Sequence, residues 1–179
     1  MPDRSADDTP FWRFSFAVYA ADGVADECLE VQERLGLDVN LLLFAAFTGA
    51  VEGICLEPED IAVAATLVEG WHNDIVRTLR SVRRKLKPAT LDEKNPLQGA
   101  ASALRTQVKK AELDAEKLEQ TMLWQWSRRQ LDARNRTARD AALATNLHVL
   151  LAHYDAAAAH PSVLPRLHAA ALAFDSVKS

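Results

Sequence analysis

The sequence predicts an all-α fold, a helical bundle built around one long antiparallel helical hairpin. Three observations carry this expectation. The chain is rich in Ala, Leu, Glu and Arg, residues that lose little on entering a helix. Six glycines and seven prolines among 179 residues are few for an all-β chain of this length. Two long segments repeat apolar residues at alternating spacings of three and four, the helical period. Hydrophobic residues make up 49% of the chain, enough for a real core in one ordinary domain.

Taken in order, Thr9-Pro10 is a helix start, with Thr as N-cap and Pro at the first helical position. The helix FWRFSFAVYAA follows, apolar around most of its circumference and so expected to be buried. Asp22-Gly23 breaks it, and Asp22 is expected to cap a second helix. Val24, Cys28, Val31 and Leu35 form the stripe of that helix, and Gly36 ends it. Asp38 precedes the apolar run from Val39 to about Val51, where its carboxylate can accept from the free N–H groups of a third, sunken helix. Asn40 falls within that first turn. Capping does not require a polar side chain there, and a buried Asn must find partners or cost roughly 1–3 kcal/mol.

Glu57-Pro58-Glu59-Asp60 opens a fourth helix, with Leu56 and Ile61 spaced for a hydrophobic staple. Its seam, Ile61, Ala64, Val68, Trp71, Ile75, Thr78 and Val82, runs on to a basic end at Lys87. After the loop PATLDEKNP, a fifth helix from about Leu97 to Leu131 carries Leu97, Ala101, Leu104, Val108, Ala111, Ala115, Leu118 and Met122 at the same alternation. Two such seams joined by a short loop make an antiparallel hairpin. Asp140 to Ala159 and Leu164 to Phe174 supply two further helices, separated by His160-Pro161. The expected organisation is a disordered tail over 1–9 and a single all-helical domain over 10–175. Within that domain, 10–56 are short buried helices, 57–131 the hairpin and 139–175 the C-terminal helices.

The net charge is −4, but it is unevenly laid out. Residues 1–60 hold 13 acids and 3 bases, whereas residues 61–139 hold 16 bases and 9 acids. Arg77, Arg80, Arg84 and Lys87 share one face of the fourth helix, and the hairpin is expected to bring Arg105, Lys109 and Lys110 beside them. Like charges cannot neutralise each other, so a basic patch for an acidic protein or another anionic ligand is expected. The sequence pI near 5.7 argues against non-specific nucleic-acid binding. The two cysteines, Cys28 and Cys55, form no C-x-x-C pair or disulfide framework, which fits a reduced, cytoplasmic setting. The acidic N-terminus is unlike a secretory signal, and the longest apolar stretch is too short for a bilayer, which takes about 20 residues. No membrane association is expected.

Chemistry-bearing patterns are sparse. Glu69-Gly-Trp-His72 matches one half of a di-iron helix motif, but Glu112, Glu116 and Glu119 on the fifth helix come without a second Glu-x-x-His. The spacings of His148, His153, His160 and His168 do not repeat the i, i+4 pairing of metal helices. No metal and no cofactor are expected, and no catalytic residue can be named. Trp12, Tyr19, Gln32, Asp38, Asn40 and His72 are the polar or amphipathic residues set in largely apolar surroundings, and they form the candidate small-molecule site. Trp124 and Trp126, two residues apart, cannot share one helix face. At least one is expected at the core's edge, able to stack on a neighbouring arginine.

The segments Phe11-Trp12-Arg13-Phe14-Ser15, Tyr19, Gly23-Val24, Cys28-Leu29, Val31-Gln32-Glu33, Gly36 and Asp38-Val39-Asn40-Leu41-Leu42-Leu43 resemble an uncharacterised family of small bacterial proteins, one of the domains of unknown function. Trp71, Leu79-Arg80, Arg83-Arg84, Leu86-Lys87, Glu112-Leu113 and Glu116 fit the same pattern, which spans about residues 10 to 125. The resemblance implies a mostly helical fold and carries over no reaction, cofactor or catalytic residue. Two readings follow. The first is a non-enzymatic macromolecular interaction or regulatory module working through its basic hairpin, with a homo-oligomer among its possible forms. The alternative is a small-molecule binding protein or enzyme with a pocket among the first four helices.

Overall fold

The computed structural model describes residues 9–91, 94, 96–155, 157 and 164–174. Of the tail expected over 1–9, residues 1–8 lie outside those residues, as does the break at His160-Pro161, while Thr9 is ordered as the cap of α1. Among the described residues there are helices and no strand: α1 (Pro10–Tyr19), α2 (Val24–Leu35), α3 (Val39–Ala50), α4 (Pro58–Trp71), a π-helical turn (His72–Val76), α5 (Arg77–Leu91), α6 (Gln98–Gln130), α7 (Arg139–Tyr154) and α8 (Pro165–Ala173). No helix is long and apolar enough to cross a membrane, again among the described residues. The chain divides into two compact units, the first from residues 1–67 and 120–179, the second from Val68 to Glu119.

The first unit is organised around α3, in which every residue from Asn40 to Ala50 is buried. Such a helix cannot present one apolar stripe, so it must be wrapped on all sides. Phe11 and Phe14 of α1 set their rings against Phe44 and Phe47 at centroid distances of 5.3 to 5.7 Å. Thr9 starts α1 as expected, its hydroxyl accepting from the Trp12 N–H at 3.1 Å. On another side α7 approaches so closely that a Cβ on Gly49 would lie 2.5 Å from the Leu143 Cα, which only a glycine avoids. Asn146, fully buried on α7, accepts from the Leu56 N–H at 2.7 Å and donates to the carbonyls of Ile54 and Ala45 at 2.9 and 3.2 Å. Three backbone groups of an irregular segment and a neighbouring helix are satisfied by this one side chain.

Several ends differ from expectation. Asp22 does not cap α2; Gly23 holds the cap position at φ +71°, a left-handed conformation that suits glycine, with no side-chain bond. The cap of α4 is made from within, Asp60 reaching back to accept from the Glu57 N–H at 2.8 Å. The expected staple residues Leu56 and Ile61 are both buried. The helix of the hairpin's first arm runs past Pro88 to Leu91 rather than stopping at Lys87. Helix α7 stops at Tyr154, where Asp155 turns extended, instead of reaching Ala159. Glu27 of α2 caps α8 from a distance, its carboxylate accepting from the N–H groups of Arg166 and Leu167 at 3.1 and 2.8 Å.

The second unit is an antiparallel pairing of the π turn and α5 with α6. Trp71 donates through Nε1 to the Ala115 carbonyl at 2.9 Å, and Arg80 reaches Glu116 at 2.7 Å. From His72 through Arg80 to Arg83 on the first arm, the acids met on α6 run back from Glu119 through Glu116 to Glu112. Burial here is slight: α5 has no buried residue, and none of the described residues from 77 to 111 is buried.

Candidate functional site

Beside the few buried apolar residues of the second unit, Val68, Val76 and Ala115, the hairpin carries a four-membered ionic cluster. Arg80 donates to Glu112 at 3.1 Å and to Glu116 at 2.7 Å, and Arg83 grips Glu112 through both Nε and a terminal nitrogen. Burial alone would raise the Glu112 carboxyl, but the hydrogen bonds from Arg83 and Arg80 outweigh it and hold the group below its ordinary value. The fork geometry of guanidinium makes such pairs stronger than a lysine contact would be.

Of the residues expected in the basic patch, Arg80 is paired within this cluster. The acids that meet Arg80 come from the returning helix itself, not from the acidic N-terminal third. The cause is register. Arg80 lies level with Glu116 and Arg83 with Glu112, so Arg105 and Lys109 come level with the last turns of α5, beyond Arg77 and Arg80. Arg77 is exposed and donates to Asn73 at 3.1 Å, Arg84, Lys87 and Lys109 are exposed, and Arg105 is half-buried.

The small-molecule candidates divide between the units. Trp12, Tyr19 and Gln32 are half-buried on α1 and α2 of the first unit. Asp38 caps α3, its Oδ1 accepting from the Asn40 N–H at 2.8 Å, as the sequence implied. Asn40, the residue a cap did not explain, is buried, and its Oδ1 accepts from the Gln120 Nε2 at 2.8 Å. His72 belongs to the second unit. It opens the π turn, and its Nδ1 lies 3.3 Å from Oε1 of Glu119, a carboxylate with no exposure. Turns of this kind are rare and recur at functional sites.

The two tryptophans behave as anticipated and more. Both touch the core, Trp124 against Phe47 at 5.7 Å and Trp126 against Phe44 at 6.0 Å between centroids. The Arg128 guanidinium lies 4.4 Å over the Trp124 ring. Arg128 also pairs with Glu52. Burial nonetheless dominates at Glu52 and raises its carboxyl above the ordinary value, against the pull of Arg128 and Arg136.

The hairpin has two unlike sides. Arg80, Arg83, Glu112 and Glu116 touch one another and so define one flank of the line where α5 and α6 meet. On each helical wheel, Val82 of α5 and Leu97, Leu104, Ala111 and Leu118 of α6 fall on the opposite flank. These side chains are left open to solvent, with Val82 41%, Leu104 48%, Leu118 52% and Leu97 66% exposed. The seam read from the sequence therefore splits. Its Ala101, Val108 and Ala115 half is covered to varying degrees, while its Leu97, Leu104, Ala111 and Leu118 half is bare.

Sequence reasoning missed the ionic cluster, Asn146 and Gln120, and raised Glu119 only as an acid of an incomplete metal motif. For the cluster a signal existed, because a hairpin register matching Arg80 to Glu116 also matches Arg83 to Glu112. For Asn146 and Gln120, no local spacing distinguishes them from exposed polar residues.

The chain matches the family described as "Protein of unknown function (DUF2390)" over residues 10–123, and it belongs to that family. No curated protein and no solved structure matches the chain.

Proposed function

We propose that this member of the family described as "Protein of unknown function (DUF2390)" is a non-enzymatic macromolecular interaction module whose working element is the α5–α6 hairpin. One observation carries the reading: the described residues from 77 to 111 include no buried side chain, yet they present several large apolar groups to solvent. A helix buries its apolar stripe against another element wherever one is to hand, and a stripe left open marks a contact surface. Exposed Arg84, Lys85, Lys87, Lys109 and Lys110 give the same element a basic rim suited to an acidic protein surface.

The test places a photo-crosslinking amino acid in the full chain, in cells, at Arg84 or Lys109 on the hairpin and at Glu30 or Glu33 on α2. Protein adducts concentrated at the hairpin positions are expected, and intact mass separates self-adducts from those with another protein. Adducts absent from the hairpin, or equal at α2, overturn the reading. Arg84→Glu with Lys87→Glu then reads the charge: capture that weakens, and loses its dependence on salt, assigns an acidic partner.

A second reading is a small-molecule site, favoured by the His72–Glu119 pair at the π turn. Under it, some compound in a metabolite panel raises the melting temperature of the wild type, and His72→Ala abolishes that rise. A panel that leaves the melting temperature unmoved removes this reading.

A further inference from the structure

We propose that the bare face of the hairpin docks a second copy of this chain, hairpin on hairpin, closing a four-helix bundle. This rests on the hairpin as interaction element and names its occupant.

Spacing is the first ground. Leu97, Leu104, Ala111 and Leu118 recur every seven residues, and Ile75 and Val82 do the same on the other arm. Rows kept at seven follow a supercoiled seam against further helices, whereas an irregular partner surface imposes no such register. Within one chain only the other half of the α6 seam, with Ala115 buried, is covered.

Area is the second. The two arms lie side by side from about Ile75 to Leu91, about 24 Å at the helical rise, and two helices side by side are about 20 Å wide. A matched pair of such faces removes about 1,000 Å² from solvent, the size that a specific interface should reach.

Self-complementarity is the third. A two-fold contact requires each residue type to accept its counterpart from the same surface. With the two-fold running along the hairpin, α5 of one copy lies over α6 of the other. The register of the ionic cluster brings Val82 level with the stretch just after Ala111, so the larger side chain seats over the smaller. Ala100, Ala103 and Gln107 continue the α6 side without a charge. The opposite flank, where Arg80 and Arg83 hold Glu112 and Glu116, already has its partners within the hairpin.

The experiment is sedimentation equilibrium of the full chain from low to high micromolar concentration, on the wild type and on Val82→Glu with Leu104→Glu. A concentration-dependent dimer is expected, with association weakened by about tenfold or more in the double variant, because each Glu would be buried unpaired. Circular dichroism and melting of dilute protein should be unchanged, since both positions are exposed in a single copy. Ala111→Arg, at another exposed position, serves if the double variant folds poorly. A wild type that stays monomeric throughout overturns self-docking, as does a dimer that neither variant weakens. In both cases hairpin crosslinks to a different protein would still stand, which separates this failure from that of the interaction module.

Discussion

Helices α3 and α5 are close in length and opposite in environment. Twelve residues of α3 include eleven that are buried, while fifteen residues of α5 include none. The first unit gains its cohesion by taking aromatic rings and a run of leucines out of water. The hairpin relies on guanidinium–carboxylate forks in a thin pairing, with Arg80, Arg83 and Glu116 partly open to water and Glu112 buried. Apolar burial is non-directional and scales with area, at roughly 25 cal/mol per Å². Ion pairs that stay near solvent contribute only about 0–1 kcal/mol each, and that share depends on pH and salt. The two regions should therefore answer very differently to the same perturbation.

The widest gap is expected between two truncations. Phe44→Ala, in the aromatic cluster of the first unit, should cost about 3–5 kcal/mol in urea denaturation. Leu104→Ala, on the bare side of α6, should stay within about 0.5 kcal/mol at concentrations too low for association. A large loss at Leu104 would mean that the hairpin holds a core after all, and the contrast would fail.

Next comes Asn146→Ala, which leaves one N–H and two carbonyls without their partner in a dry interior. A cost of about 3 kcal/mol is expected from denaturation midpoints, given about 1–3 kcal/mol for each buried group left unpaired. A loss under 1 kcal/mol would show that water replaces the side chain.

Asp38→Ala should cost about 1 kcal/mol and Asp38→Ser much less, because a hydroxyl can still accept from the first turn. Equal, large losses in both variants would give the carboxylate a role beyond the cap.

The smallest effect sharpens the comparison by pH. Glu112 titrates below its ordinary value in the folded hairpin, so its contribution is fully present above the unfolded value and is lost as pH falls through the folded one. The stability difference between wild type and Glu112→Gln should accordingly narrow from pH 7 towards pH 3. Glu52, in the first unit, runs the other way. Its carboxyl is raised by burial, so a penalty present above the folded value is relieved as pH falls towards the unfolded one. Between wild type and Glu52→Gln the trend should carry the opposite sign, and the same trend in both pairs would erase the distinction.

Much of the fold was legible because local rules agree with one another in this chain. Thr9-Pro10, Gly36 and Asp38 mark helix ends by capping chemistry, and all three stand where the spacing puts them. Asp22 misled because Gly23 beside it can enter the left-handed region and end the turn without a side-chain acceptor. The hairpin's two seams were readable, but which half of the α6 seam is covered was not. That depends on how α6 is rotated about its own axis, and the rotation is fixed by Arg80 and Arg83 clasping acids on one flank. The candidate site was the least legible part. The partner of Asn40 stands 80 residues away, and that of His72 stands 47 away. A one-dimensional pattern does not encode such meetings.

One bond of the first unit sets a clock. The Leu56 N–H donates to Asn146 from 90 residues away and has no helical neighbour to hold it. Its exchange with deuterium therefore waits for α7 to lift off α3, not for a local flicker of the segment in which it sits. The amides of Leu56 and of the centre of α7 should exchange at a common, slow rate in native conditions. A single resonance in an irregular stretch would then report, in time, how often the whole buried layer comes apart.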